Sequence, residues 1–525
     1  MKKWKVYTSE ICDKKYDAII IGSGMSGLTT AVLLAQHGKK VLVLEKHFKV
    51  GGFTHTFKRK KYEWDVGIHY IGEVHNKKSY SRRLFDRVTD GKLKWAKMDD
   101  NYDRIVFPDK SYDFIAPQEK FIETLSTQFP GEEKALRAYV NLLHEQVKSG
   151  RGYFASKVLP KWLSPFLRNS MTKQFFKHAD KSTKEVLQQF TNNEKLIGVL
   201  AGQWGDHGLP PERSSFAMHA MVARHYLDGG NYPVGGSRMI GEYATDLIES
   251  LGGKIVVNAG VDELLVKRKK AIGVRLGNGD ELFANKIISS AGLVNTVNTF
   301  LRNQPQVGQF KSKLKKVQPT ESYVCLYMGL NKTAQELGLK TTNLWIYPGY
   351  DHDGNVTKYM NDSNEEFPVV YVSFPSAKDP DWDRNHSNCA TMEAITFGRW
   401  DDFKGWVNKP WKKRGESYEE FKESISRKIL DVVYQNVSQA ECAMDYYELS
   451  TPLSVRDMAH YPAGEMYGLD HTSERFHQNW LKPQTEIKNL FLTGQDVTTV
   501  GVTSALFSGL LTASSILNKN LMKTL

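Results

Sequence analysis

At 525 residues the chain exceeds what one hydrophobic core organises, so two structural regions, successive or interleaved, are expected, with room for a sizeable buried site. Hydrophobic residues at 40% and charged residues at 25% are ordinary globular usage, which excludes a disordered or repetitive chain. The 71 Lys+Arg against 59 Asp+Glu, a net charge of +12, favour an anionic surface, phospholipid or nucleic acid, without choosing between them.

From Met1 to Tyr16 there are lysines but no apolar core, so no signal peptide is predicted and the cytoplasm is the expected compartment. Cys12, Cys325, Cys389 and Cys442 lie far apart with no Cys-x-x-Cys pair, against a zinc site, a dithiol centre or a secreted disulfide framework. No metal is expected.

The first strong signal is the β-branched run Tyr16–Ile21, which feeds Gly22-Ser23-Gly24-Met25-Ser26-Gly27 and then a helical pattern through Leu28, Ala31, Leu34 and Ala35. Gly22 suits the tight turn, Gly24 lets backbone approach a pyrophosphate, and Gly27 lets helix and strand pack closely. After Gly38 a second strand, Lys40–Leu44, ends at Glu45, where a carboxylate meets the hydroxyls of an adenosine ribose. A bare glycine motif is weak; two strands, a helix and a terminal acid in register are not. The unit binds a dinucleotide, and by itself leaves FAD and NAD(P) open.

Next come the doublet in Gly51-Gly52-Phe53-Thr54-His55-Thr56-Phe57 and the stretch Asp65-Val66-Gly67-Ile68-His69-Tyr70-Ile71-Gly72. Residues 158–177 mix Trp162, Phe166, Phe175 and Phe176 with Lys161, Arg168, Lys173 and Lys177, a composition suited to an interfacial anchor or to a lid helix whose apolar face turns inward. Asn231–Ser237 leads into a helix, then into strands near 253–257, 261–266 and 271–276, a Gly277-Asn278-Gly279-Asp280 hairpin turn, and a strand at 286–292. Near the C-terminus Asn489–Asp496 reads as a buried strand ending in Gly494 and Asp496. A helix follows from about Val502, its face of Ser504, Ala505, Ser508, Gly509, Thr512 and Ala513 kept small for close approach. The apolar stretch Val497–Leu517 is diluted by Thr, Ser and Gly and reads as a buried helix, not a membrane span.

The pairing of Glu45 with Gly51-Gly52 resembles the start of flavoprotein amine oxidases and phytoene desaturases, which implies FAD. Together with residues 65–72 and Leu492-Thr493-Gly494-Gln495-Asp496-Val497, it resembles the retinol saturases and their carotenoid isomerase and phytoene desaturase relatives over nearly the whole chain. The Asp-Val-Gly-Ile-His-Tyr-Ile-Gly stretch and the His-Thr-Phe after the doublet look most like retinol saturases.

The resemblance implies an α/β fold: a doubly wound Rossmann-type FAD domain assembled from residues 1–95, 231–300 and 476–525. An α+β substrate domain is inserted as residues 96–230, with the lid and membrane-contact segment, and 301–475. It implies cofactor contacts at Gly22, Ser23, Gly24, Met25, Ser26, Gly27, Glu45, Lys46, Gly52, Phe53, Thr54, Val261 (through its backbone, at the adenine), Gly494, Asp496, Val502 and Thr503. It also implies hydride exchange between flavin and a carbon–carbon double bond of an apolar polyene, such as a retinoid, carotenoid or unsaturated acyl chain. NAD(P)H, a quinone or oxygen would be the electron partner.

Adding hydride to a polyene requires a proton at the neighbouring carbon, and His69, Tyr70 and His55 are the candidate donors; each also has a structural reading as a satisfied residue beside a turn. A polyene isomerase using reduced flavin without net redox change, an amine oxidase, and a non-catalytic FAD- or lipid-binding module are the competing readings. No Gly-x-Ser-x-Gly elbow, His-Glu-x-x-His pair or nucleic-acid motif supports hydrolase, zinc or nucleic-acid chemistry.

Overall fold

In the computed structural model, which describes residues 3–11, 15–160 and 162–525, the run Tyr16–Ile21 is the middle strand of a five-stranded parallel sheet. Its order is Lys254–Val256, Val41–Leu44, Tyr16–Ile21, Glu281–Ser289, Leu490–Leu492. Parallel strands are covered on both faces and therefore lack polar alternation, as the wholly buried Val-Leu-Val-Leu of the second strand shows. The strand near residue 490 is shorter than its apolar run suggests, because the chain leaves the sheet at Thr493 and turns at Gly494, where φ is +119°.

Helix Met25–Ala35 covers one face and is buried along its entire length. The C-terminal helix, Val502–Leu517, lies against it, and the small-residue face accounts for the close approach: a Cβ added to Gly509 would sit 2.6 Å from both Ser26 O and Thr29 Cβ. Helix Arg238–Ser250 packs on the other flank. The opposite face is closed by an antiparallel meander, Val261–Lys267, Lys270–Leu276 and Glu281–Ser289, with the predicted hairpin turn between the last two. The last of these strands belongs to both sheets, its start antiparallel to 270–276 and its end parallel to 16–21.

A second, seven-stranded sheet unites segments far apart in sequence, in the order Met444–Ser450, Tyr323–Leu330, Ala390–Phe397, Val370–Ser373, Asn343–Ile346, Asn101–Val106, Ser111–Ile115. Every pair is antiparallel except 343–346 with 101–106. Helices Glu133–Ser156, Ser164–Ala179 and Phe216–Tyr226 pack beside one another. The doubly wound sheet from separated stretches, with an inserted α+β region, is thus the fold of the chain. Among the described residues no helix is long and apolar enough to cross a membrane, no cluster of ligating side chains could hold a metal ion, and Cys325, Cys389 and Cys442 are free. Cys12 and Lys161 lie outside the described residues.

Candidate functional site

A cavity of about 2050 Å³ runs between the two sheets. One wall is the dinucleotide motif. Gly22 turns the chain at φ +94°, and a Cβ on Gly27 would collide with Gly22 O, so both glycines are required by the turn. Helix Met25–Ala35 starts at Gly24 with no side-chain cap, and helix Val502–Leu517 starts at Gly501, likewise uncapped. Gly24, Met25 and Ser26 at one start and Gly501, Val502 and Thr503 at the other all line the cavity. Two positive helix ends with unpaired N–H groups therefore open into one space, an arrangement that favours anionic groups.

Glu45, at the end of the second strand, accepts hydrogen bonds on Oε2 from the Ser23 N–H (2.8 Å) and Ser23 Oγ (2.6 Å), and on Oε1 from the His47 N–H (2.8 Å). Ser23 is fully buried behind it, hydrogen-bonded to Glu45 and accepting from Gly51 N (3.1 Å), and neither Ser23 nor Gly27 is part of the cavity wall. Glu45, Lys46, Gly52, Phe53, Thr54, Val261, Gly494 and Asp496 all line the cavity with Gly22. The doublet is held against the first turn through a bridge between Gly24 and Gly51. The Asp496 carboxylate is committed to backbone, accepting from Leu293 N (2.7 Å) and Leu469 N (3.1 Å).

The three candidate proton donors line the same cavity but differ in what their polar atoms do. Tyr70 donates its hydroxyl to Asp103 (2.8 Å) and stacks on Tyr226, and burial raises its pKa well above the ordinary tyrosine value. His55 holds the Gly52 carbonyl through Nδ1 (2.5 Å), with burial lowering it to about 4. The His69 imidazole, also lowered to about 4 by burial with Lys378 acting in the same direction, lines the cavity, and its buried Nδ1 has no hydrogen-bond partner. Its Nδ1 lies 2.8 Å from Glu393 Oε2.

Residues that sequence reading did not single out complete the site. Tyr461 stacks with Phe53 (centroids 5.8 Å apart) and accepts from Gln495. The second sheet contributes Cys325, Tyr327, Tyr371 and Ile395 to the wall. Behind them Glu393 is fully buried, at a position where the strand's pattern calls for an apolar residue. That lone charge in Ala390–Phe397 is the signal a sequence reading could have used. Lys378 carries none, since its partners come from three other stretches: it donates to His69 O (3.0 Å), Ser373 Oγ (2.7 Å) and Asn343 Oδ1.

The comparisons agree with this geometry. A family model described as an NAD(P)-binding Rossmann-like domain matches residues 20–88. The all-trans-retinol 13,14-reductase of Danio rerio is 36% identical, across 96% of this chain and 86% of the relative. The chain belongs to the all-trans-retinol 13,14-reductase family. The Homo sapiens member is 33% identical, with 99% of this chain and 88% of the relative covered. A Danio rerio protein named inactive all-trans-retinol 13,14-reductase is 30% identical, with 98% and 88% covered. An oxidoreductase from Methanosarcina mazei superposes with a TM-score of 0.64 at 13% identity, over 96% of this chain and all of that one, a likeness of fold. The chain is an oxidoreductase of this family.

Proposed function

We propose that the chain is an FAD-dependent saturase or desaturase acting on a carbon–carbon double bond of an apolar polyene, a retinoid before a carotenoid or an unsaturated acyl chain. The observation that carries this reading is one cavity with two chemistries. Two uncapped helix starts and Glu45 suit a dinucleotide on one wall, and aromatic and aliphatic side chains with His69 suit a polyene on the other. Gly24, Met25 and Ser26 would hold the pyrophosphate, Glu45 the ribose, Val261 the adenine through its backbone, and Gly501, Val502 and Thr503 the charge of the reduced ring. Bound there, FAD supplies or takes the hydride.

Of the three candidate donors, His69 is assigned the proton: Tyr70 donates its hydroxyl to Asp103, and the neutral His55 ring, whose Nδ1 must donate to the Gly52 carbonyl, carries no proton on Nε2. Tyr70, Tyr371 and Ile395 line the cavity with His69, and a neutral imidazole in such surroundings would donate Nε2–H to a carbon. Since one relative is named inactive, the site residues and not descent carry the assignment.

Substrate access is assigned to residues 158–177. Val158, Leu159 and Pro160 line the cavity, and the chain directly after them exposes Trp162 (73%) and Phe166 (79%). An exposed Trp and Phe beside a greasy cavity favour peripheral contact with a lipid surface.

The deciding experiment is anaerobic incubation of purified, prereduced protein with a panel of retinoids, carotenoids and unsaturated fatty acids, read by flavin spectrum and product mass. A product that gains two hydrogens while the flavin oxidises is expected. Products of unchanged mass would replace this reading with isomerisation, and a colourless protein that takes up no flavin on reconstitution would end it.

A further inference from the structure

Three carboxyl groups are buried around His69 and Lys378, and their hydrogen-bond partners set them apart. Asp103 accepts three donors, from Tyr70 Oη (2.8 Å), Gln203 Nε2 (2.7 Å) and Asn343 Nδ2 (2.9 Å). Asp65 also accepts three, the Ser237 N–H (2.9 Å), Ser237 Oγ and the Tyr232 hydroxyl. Each is built to be a carboxylate. Glu393 has no exposed surface and no well-formed hydrogen bond on either oxygen, the Asp65 backbone N–H being its one nearby backbone donor. A carboxyl so weakly solvated in a buried site, with an ionised neighbour at Asp65, keeps its proton.

Glu393 reaches its place through the sheet register. It stands opposite Tyr327 and Ser373, and shares a strand face with Ile395, which lines the cavity. His69 therefore lies between the cavity it lines and an acid, with Nδ1 2.8 Å from Glu393 Oε2. The contact lies off the hydrogen-bond axis of the ring, leaving Nδ1 unpartnered, although the distance is that of a hydrogen bond.

We propose that Glu393 is a positioning residue that holds His69 as its Nε2–H tautomer and refills it with a proton during turnover. The proposal rests on the saturase reading. In the reducing direction a reduced flavin, if held by Gly24, Met25, Ser26 and Glu45, would supply the hydride, with both electrons, for one C–H bond. The proton from His69 Nε2 forms the other C–H bond at the adjacent carbon. The Glu393 O–H breaks as Nδ1 takes its proton, so the imidazole ends neutral with its tautomer reversed. Glu393 is left a carboxylate beside the Lys378 ammonium, and solvent returns one proton between turnovers. Desaturation follows the same path backwards.

The charges around the pair are consistent with this. Burial pushes Glu393 up to about 8, against Lys378 and the Asp65 backbone N–H. Burial brings Lys378 down to about 7, against Asp103, Glu393 and Asp65, and raises Asp65 to about 6 with Glu393 adding to the rise. The remaining titratable groups that feel Glu393 are Cys325, Tyr327 and Tyr232, all raised well above their ordinary values by burial and therefore neutral. Glu393 is thus an acid below about pH 8 and loses that role as pH rises through it.

Two measurements separate this proposal from the reading it rests on. In resting protein labelled with ¹⁵N-histidine, with the His69 signals assigned from a His69→Gln variant, wild type should show the Nε2–H tautomer and Glu393→Leu should lose it. An Nδ1–H tautomer in wild type, or no change in Glu393→Leu, overturns the proposal whatever the substrate. In anaerobic single turnovers, Glu393→Gln keeps the shape and can hydrogen-bond Nδ1 but has no acidic proton. It should slow product formation by about 100-fold, with polyene Kd unchanged and the alkaline limb of the pH profile lost. Wild-type rates in Glu393→Gln, alongside slow His69→Gln, would also overturn it. A wild type inert to every polyene sinks the saturase reading and leaves the tautomer result standing.

Discussion

At the scale of single residues, adjacent side chains have been given different tasks by their partners. Tyr70 and His69 follow one another, yet the Tyr70 hydroxyl is tied into the Asp103 cluster while the His69 ring lines the cavity with Nδ1 beside Glu393. Tyr70→Phe should therefore leave single-turnover rates within a few-fold of wild type. By removing one of three donors to a buried carboxylate, it should cost roughly 1–3 kcal/mol in stability, read from denaturant midpoints. His69→Gln should do the reverse, retaining flavin and stability while slowing turnover by about 100-fold. If Tyr70→Phe is the slow variant and His69→Gln the fast one, the donor has been misassigned. The pair is readable in sequence as two candidates and no further, because the Asp103 contact that distinguishes them spans 33 positions.

At the scale of elements, what could be read from sequence was local. Tyr16–Ile21, the glycine turn, helix Met25–Ala35 and Val41–Leu44 form within thirty residues or so, and their patterns, glycine spacing and terminal Glu45 follow from neighbours along the chain. The second sheet is different. Asn343–Ile346 pairs with Asn101–Val106 across some 240 positions, and no periodicity within either strand announces the other. Glu393 and Lys378 were hidden for that reason: their meaning lies in cross-strand neighbours, although the lone charge in Ala-Thr-Met-Glu-Ala-Ile-Thr-Phe marked its strand as exceptional. The small face of the C-terminal helix was legible, and it makes a steric prediction. Gly509→Val places two methyl groups where a single Cβ would already lie 2.6 Å from Ser26 O and Thr29 Cβ. The two helices must separate, which should cost roughly 1–3 kcal/mol and lower both the melting temperature and the flavin content of purified protein. Unchanged melting would show that the helices have slack at this contact.

For the molecule as a whole, the question is how an apolar substrate reaches a cavity set between two sheets. Helix Ser164–Ala179 has a buried and an exposed face: Phe175 is buried against Tyr153 and Phe476, while Phe166 and Leu167 face outward with Trp162 just ahead of the helix. Arg168 is half-buried, and Lys173 and Lys177 are exposed on the same segment; Lys161, grouped with them in sequence, is outside the described residues. Exposed aromatics flanked by cations suit an anionic bilayer, where each cation near the surface contributes about 1 kcal/mol and the aromatic rings add apolar burial. The wild type should therefore float with vesicles containing phosphatidylserine, less so in high salt because the cationic share is screened. A Trp162→Glu/Phe166→Glu double variant should stay at the bottom of the gradient with its melting temperature unchanged, since neither side chain packs inside. Carried on vesicles, a polyene should then turn over more slowly with the variant than with wild type, and equally fast when both receive it in detergent. Flotation of the variant as complete as that of wild type would place the membrane contact elsewhere, and failure of the wild type to float would remove it.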